Sequence, residues 1–355
     1  MNYKILAINP GSTSTKIAVY ENEKKLFSKT IEHDTKEIEK YNLVADQFHM
    51  RKKEILLALQ ENNISINDMS AIVGRGGILP PVKSGAYEVN DLMIDRLKNR
   101  PLFEHASNLG ALISSEIAKT IGIKSYIYDS VAVDELKDIA RISGMPDIQR
   151  SSTCHALNSR AMAINYAEKK SKNYTEMNFI VAHLGGGISL SAHCKGKMID
   201  IISDDEGPFS PERSGRVPCN KLIELCYAGK FDKKTMKKKL RGNGGLKAYL
   251  NTVNTREVEK MIANGDENAK LLYESMVYQV AKGIGELSTV LFGDIDAIII
   301  TGGIAHSSIF TNWIKERVEF IAPVAIMPGE HELTALALGT LRVLKNEEKA
   351  NIYTD

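Results

Sequence analysis

No C-x-x-C pair occurs in this 355-residue chain, and its four cysteines (Cys154, Cys194, Cys219, Cys226) show no zinc-ligand spacing with the eight histidines. A disulfide framework and a structural zinc site are therefore not expected, and the cysteines read as reduced, buried thiols. No G-x-x-x-x-G-K-[ST] occurs, and no G-x-G-x-x-G follows a strand, which sets aside a P-loop ATPase and a standard Rossmann dehydrogenase. No apolar run approaches the roughly 20 residues needed to span a bilayer. Neither sign of charge dominates, with 46 Lys+Arg against 44 Asp+Glu. A nucleic-acid or membrane partner is accordingly not expected. The N-terminus, Met-Asn-Tyr-Lys, runs straight into a strand-like segment without a signal-peptide apolar region, so the cytoplasm is the expected location.

What is present is the profile of a globular protein, 43% hydrophobic and 25% charged, with a length that suggests about two domains. A β-rich run, Lys4 to Asn9, stops at Pro10-Gly11, and Lys16 to Tyr20 resumes it. Amphipathic helical spacing follows at Asp46 to Gln60 and Ala106 to Thr120, with short strands at Ala71 to Val73 and Ser125 to Tyr128. Helices alternating with short strands predict an α/β fold. The second half repeats the opening: strand Asn178 to Ala182, turn His183 to Gly187, strand Ile188 to His193. Sliding Asn9 onto His183 also places Gly11 on Gly185 and Thr15 on Ser189, a shift near half the chain, which predicts a duplicated domain. The expected units are 1–150 and 151–332, with a final helix in 333–355 packing back on the first. A long helix is expected from Glu267 to Leu291, where Gly283 and Gly285 suggest close packing, and a strand from Asp296 to Thr301. The run Lys233, Lys234, Lys237, Lys238, Lys239 reads as a solvated helix face.

Three small-residue turns each follow a strand: Asn9 to Lys16, His183 to Ser189, and Thr301 to Ala305. Glycine lets backbone N–H groups approach an anion, and Ser/Thr hydroxyls add donors, so such turns suit the phosphates of ATP without a P-loop. Two arginines stand between small residues, in Gly74-Arg75-Gly76-Gly77 and Glu212-Arg213-Ser214-Gly215, where a guanidinium can meet carboxylate or phosphate unobstructed. Asp129 ends the strand Tyr126-Ile127-Tyr128, a frequent place for functional residues in α/β folds and equally for helix caps.

The stretch Asn9-Pro10-Gly11-Ser12-Thr13-Ser14-Thr15-Lys16 resembles the first signature of the acetokinase family, and Ile180 to Ser189 its second. The resemblance implies a duplicated actin-like ATPase domain, of the acetate and sugar kinase, heat-shock and actin superfamily, with two lobes around a nucleotide cleft. It implies Asn9, Ser12, Ser14 and Lys16 in one phosphate hairpin, His183 with Gly185, Gly186 and Gly187 in the second, and Gly302 and Gly303 at the nucleotide. Arg75 and Arg213 match the active-site arginines, Asp129 the catalytic aspartate, Glu332 the metal-linked glutamate, and His105 a histidine near the substrate. Mg²⁺ and ATP/ADP follow as cofactor and co-substrate, with Asp129 and Glu332 toward the metal. The partners are a small-molecule carboxylate and ATP, and the chain is expected to form a homo-oligomer, dimer or higher. The stretches Gly74 to Pro81 and Asp204 to Gly215 resemble the branch acting on butanoate, which predicts phosphoryl transfer from ATP to that acid. Acetate, propionate and branched short-chain acids stay open as acceptors, as does a non-catalytic nucleotide switch of the actin kind.

Overall fold

A computed structural model describes residues 2–355. The chain forms two compact units: one runs to Asp134 and takes in His331–Asp355, and the other is Glu135–Glu330.

The sheet of the first unit starts as an antiparallel meander of β1 (Lys4–Pro10), β2 (Ser14–Glu21) and β3 (Lys24–Glu32). Beyond β1 lie β4 (Ala71–Arg75), parallel to it, and then β6 (Ser125–Tyr128), with β5 (Ala86–Glu88) and the short strand Asn351–Ile352 completing that edge. Side chains alternate along a strand, so β1 has two distinct faces. Leu6 and Ile8, with Ile17 and Val19, pack on α1 (Phe48–Glu61) and α2 (Asn108–Ile121) through Ile55, Leu59, Leu109 and Ile113. The C-terminal helix Glu332–Leu344 packs against β1, β4 and β6. Strand β4 and α2 approach so closely that a Cβ on Gly74 would lie 2.1 Å from the carbonyl oxygen of Gly110, and one on Gly110 would lie 2.2 Å from that of Arg75. Two facing glycines are what bring that helix down onto the sheet.

The second unit repeats the plan. Strands β7 (Asn178–Leu184), β8 (Ile188–Cys194) and β9 (Lys197–Ile202) form the meander, and β10 (Ala297–Gly302) and β11 (Val324–Pro328) add in parallel on the β7 side. The order β11-β10-β7-β8-β9 corresponds strand for strand to β6-β4-β1-β2-β3. Every residue of β7 is buried, because both faces are covered. Phe179 and Val181 face Met162 and Ala163 of α3 (Ala156–Lys169), while Ile180, Ala182 and Leu184 pack with α4 (Glu267–Val290) and α5 (Ser308–Val318). Asp266 caps α4 and Ser307 caps α5, each accepting from an N–H in the first turn.

Three expectations need amendment. The boundary falls at Asp134/Glu135 rather than at 150, because Arg150 ties the intervening segment to the second unit through Glu206, Asp200 and the Ile201 carbonyl. Cys154 is buried, but Cys219 and Cys226 are exposed thiols on the helix Cys219–Tyr227. Of the two helix glycines only Gly283 is tightly packed, where a Cβ would meet Leu190 at 2.3 Å; nothing lies within 4 Å of the same position on Gly285. The five lysines are exposed on the helix Lys233–Leu240, with Met236 turned inward. Among the described residues no helix is long and apolar enough to cross a membrane.

Candidate active site

In the first unit the candidate residues gather at the carboxyl ends of parallel strands, where open α/β sheets place ligand-binding loops. Asn9 is the penultimate residue of β1, Arg75 closes β4 and Asp129 follows β6. Asn9 Nδ2 donates to Glu332 Oε2, and Arg75 Nη1 lies 3.3 Å from Asn9 Oδ1 and 3.2 Å from Glu332 Oε1. Glu332 starts the C-terminal helix, so the packing of that helix on β1 and β4 is what delivers it. Lys16 sits directly across the ladder from Asn9, on the same face of the hairpin. Ser12 at the hairpin tip is exposed and Ser14 half-buried.

Asp129 is buried with φ of +41°, a left-handed conformation that costs a non-glycine residue on the order of 1 kcal/mol or more. It is held there by a reciprocal pair: Gly85 N–H donates to Asp129 Oδ1 at 2.8 Å, and Asp129 N–H to the Gly85 carbonyl at 3.2 Å. His105 is exposed ahead of α2, its Nδ1 accepting from the Ser107 N–H at 3.2 Å. The residue of this segment that reaches the Arg75 loop is Asn108, whose Oδ1 accepts from the Ile78 N–H at 2.8 Å.

Beneath the first hairpin lies a residue that the motif reading passed over. Arg51 of α1 is fully buried, and its guanidinium donates to the carbonyls of Gly11 (2.7 Å), Ser12 (2.9 Å) and Ser14 (3.1 Å) and to Gln47 Oε1. Peptides are planar, so carbonyls of Gly11 and Ser12 turned toward Arg51 send the N–H groups of Ser12 and Thr13 the opposite way. A buried cation thus holds the hairpin with donors directed outward, the polarity an anion requires. Burial lowers the Arg51 guanidinium to about 10, still charged near neutrality. Thr15 Oγ1 links it to His33, whose Nδ1 meets Glu54 at 2.6 Å. A signal existed in the sequence: Arg51 shares the helical stripe of Phe48, Ile55 and Leu59, an unusual place for an arginine.

In the second unit Gly185 N–H bonds the Gly187 carbonyl at 3.0 Å, as Gly11 N–H bonds the Ser14 carbonyl at 2.7 Å in the first hairpin. The guanidinium of Arg213 lies against Gly187, where a Cβ would fall 2.3 Å from Nη1. Arg213 Nη1 pairs with Asp204 Oδ2, which also lies 2.8 Å from Arg241 Nη2 in a second ion pair. Arg213 Nε is buried with no hydrogen-bond partner among the described residues. A desolvated donor of that kind costs stability unless a ligand completes it, so an anion on this hairpin is what the arrangement fits. His183, buried at the end of β7, takes Asn158 at Nδ1 (2.9 Å), places Nε2 3.7 Å from Glu330 Oε1, and stacks on His155 with ring centres 3.9 Å apart. Gly302 ends β10 with φ of +93°, and Gly303 is exposed with open space at its Cβ position. Among the described residues no group of three or more His, Cys, Asp or Glu is placed to hold a metal.

Two sheets of the same 3-2-1-4-5 order, each opening on a small-residue hairpin, define a duplicated actin-like ATPase fold. A profile of the acetokinase family matches residues 150–324. Over 353 residues, 99% of both chains, the sequence is 51% identical to butyrate kinase 1 of Clostridium acetobutylicum. The structure is similar to that of Porphyromonas gingivalis acetate kinase (TM-score 0.80, 20% identity, covering 96% of this chain and 100% of the other). It is also similar to a propionate kinase from Francisella tularensis (TM-score 0.75, 19% identity, covering 95% and 98%). The chain belongs to the acetokinase family.

Proposed function

We propose that the protein transfers the γ-phosphoryl group of ATP reversibly to the carboxylate of butanoate, giving butanoyl phosphate and ADP. The observation that carries this reading is the 51% identity over 99% of both chains with a butyrate kinase. Its chemistry agrees with the residues on the two units. A carboxylate is already ionised at pH 7, so an acceptor oxygen attacks phosphorus without a general base. The bond to the β,γ-bridging oxygen breaks, and ADP leaves with that electron pair. Catalysis then rests on positioning and on neutralising the charge of the transferring group. The hairpins around Ser12 and Gly186 take ATP phosphates, with Gly302 and Gly303 beside the nucleotide. Arg213 and His183 donate to phosphoryl oxygens, Asn9 and Lys16 belong with the first phosphate hairpin, and Arg75, 3.3 Å from Asn9 Oδ1, meets the acid and its acyl phosphate.

Asp129 and Glu332 are hard oxygen donors that fit Mg²⁺, which takes one or two carboxylates along with phosphate oxygens and water rather than a full protein cage. Bound there, the ion would neutralise charge on the phosphate oxygens. Glu332 also pairs with Arg75, Oε1 lying 3.2 Å from Nη1. A homo-oligomer and a cytoplasmic location are part of the same proposal, the second because the proposed reaction consumes ATP.

Acyl-chain preference gives the test. Each further buried methylene contributes about 0.8 kcal/mol, a several-fold gain in kcat/KM per carbon. A hydroxamate assay across C2 to C5 acids should therefore show kcat/KM rising from acetate through propionate to butanoate. Acetate equal to or better than butanoate would contradict the four-carbon assignment and leave the carboxylate kinase standing.

A further inference from the structure

The hydrogen-bond chain behind His183 determines which of its nitrogens carries the proton. Thr301 Oγ1 donates to the Gly329 carbonyl at 3.3 Å. A hydroxyl has a single proton, so toward its other neighbour Thr301 presents a lone pair. That neighbour is the Asn158 side chain, 3.2 Å away, which must turn its NH₂ group toward Thr301. The same NH₂ lies 2.9 Å from His183 Nδ1, so its second proton faces a ring nitrogen that accepts. A neutral imidazole accepting at Nδ1 carries its proton on Nε2.

We propose that Asn158 is a positioning residue that fixes His183 as the Nε2–H tautomer, aiming a neutral donor at a phosphoryl oxygen. Asn158 and Thr301 are both buried, so the chain is shielded from competing water. The His155 ring, stacked at 10° to that of His183 and tied through its own Nδ1 to Ser189 Oγ at 2.8 Å, resists rotation of the imidazole. Gly185 sits beside Nε2, where a Cβ would lie 3.2 Å from it, so the proton points along the Gly-rich hairpin. A charged group close to Nε2 is Glu330, whose side chain is 42% exposed and can turn to water when an anion arrives. The catalytic half of the inference rests on the proposed function, because it takes the acceptor of the Nε2 proton to be phosphate.

Nitrogen-15 NMR of the histidine side chains reads the tautomer directly, with His183 assigned by its loss in His183→Gln. The unmodified protein at neutral pH should show His183 with a bare Nδ1 and a protonated Nε2. A protonated Nδ1 there would overturn the inference, whatever the activity. Asn158→Asp replaces the donor by an acceptor-only carboxylate and, at a pH high enough to keep the ring neutral, should shift its single proton from Nε2 to Nδ1. In that variant kcat should fall about 10- to 100-fold, in the range of lost orienting partners, with KM for ATP much less affected. Asn158→Ala should retain partial activity, since it removes the constraint without imposing the wrong tautomer. If the NMR result is as expected but Asn158→Asp keeps full kcat, the tautomer assignment stands and the role of His183 toward phosphate falls. The measurement on the unmodified protein holds even if a variant does not fold.

Discussion

Arg213→Ala should lower kcat about 10³-fold, roughly 4 kcal/mol of transition-state stabilisation, with KM for ATP nearly unchanged. The guanidinium lies on Gly187 of the second hairpin, and its buried Nε has no hydrogen-bond partner among the described residues to lose. The fold should survive the change: Asp204 keeps Arg241 at 2.8 Å, so no buried carboxylate is stranded. Lysine should rescue poorly, since an ammonium cannot reproduce a planar fork lying along the hairpin. Gly187→Ala tests the same placement from below, because its methyl group would displace the guanidinium while leaving the arginine present. An intermediate loss of kcat is expected there. Arg75→Ala should lower kcat/KM for the acid comparably, and the division between KM and kcat shows whether Arg75 meets the acid in the ground state or only in the transition state. Near-wild-type kcat/KM in both alanine variants would defeat the mechanism.

Gly74→Ala is expected to cost about 3 kcal/mol or more and to lower Tm on the order of 10 °C. The added Cβ would sit 2.1 Å from the Gly110 carbonyl oxygen and 2.3 Å from its carbon, both backbone atoms. Nothing there can rotate aside, so β4 must part from α2 or the strand must bend. Because Arg75 is the next residue, activity should suffer along with stability. Gly285→Ala is the matched control: with nothing within 4 Å and a helical backbone, it should stabilise by up to about 1 kcal/mol. Thermal denaturation of the two variants side by side reads both effects. Equal Tm values for Gly74→Ala and the parent would mean that β4 and α2 are not in the backbone contact described.

How much of this was legible in the sequence depended on whether the chemistry sat within one segment. The two hairpins were readable because strand, small-residue turn and returning strand are contiguous, and because the pattern recurs half a chain later. Arg75 and Asp129 stood out at strand ends for the same local reason. Partnerships between distant segments were not readable. That Glu332 meets Asn9 and Arg75 depends on the C-terminal helix packing across β1 and β4. Asn158 reads as one polar residue in a helix until β7 and β10 bring His183 and Thr301 against it. Arg51 is the instructive miss, since its place on an apolar stripe was visible but its partners, three carbonyls of the first hairpin, were not. Gly283 and Gly285 differ by two residues and hence by more than half a helical turn, so one is packed and the other open; composition alone treats them alike.

The central claim is that phosphoryl transfer ends on a carboxylate. It is tested most directly by incubating the purified protein with ATP and Mg²⁺, with and without butanoate, and measuring ADP, inorganic phosphate and hydroxylamine-trapped acyl phosphate together. ADP and acyl phosphate should form one for one when butanoate is present, with little ADP release without it. ADP and free phosphate released at the same rate with or without the acid, and no hydroxamate, would contradict the account and make the protein a nucleotide-hydrolysing switch.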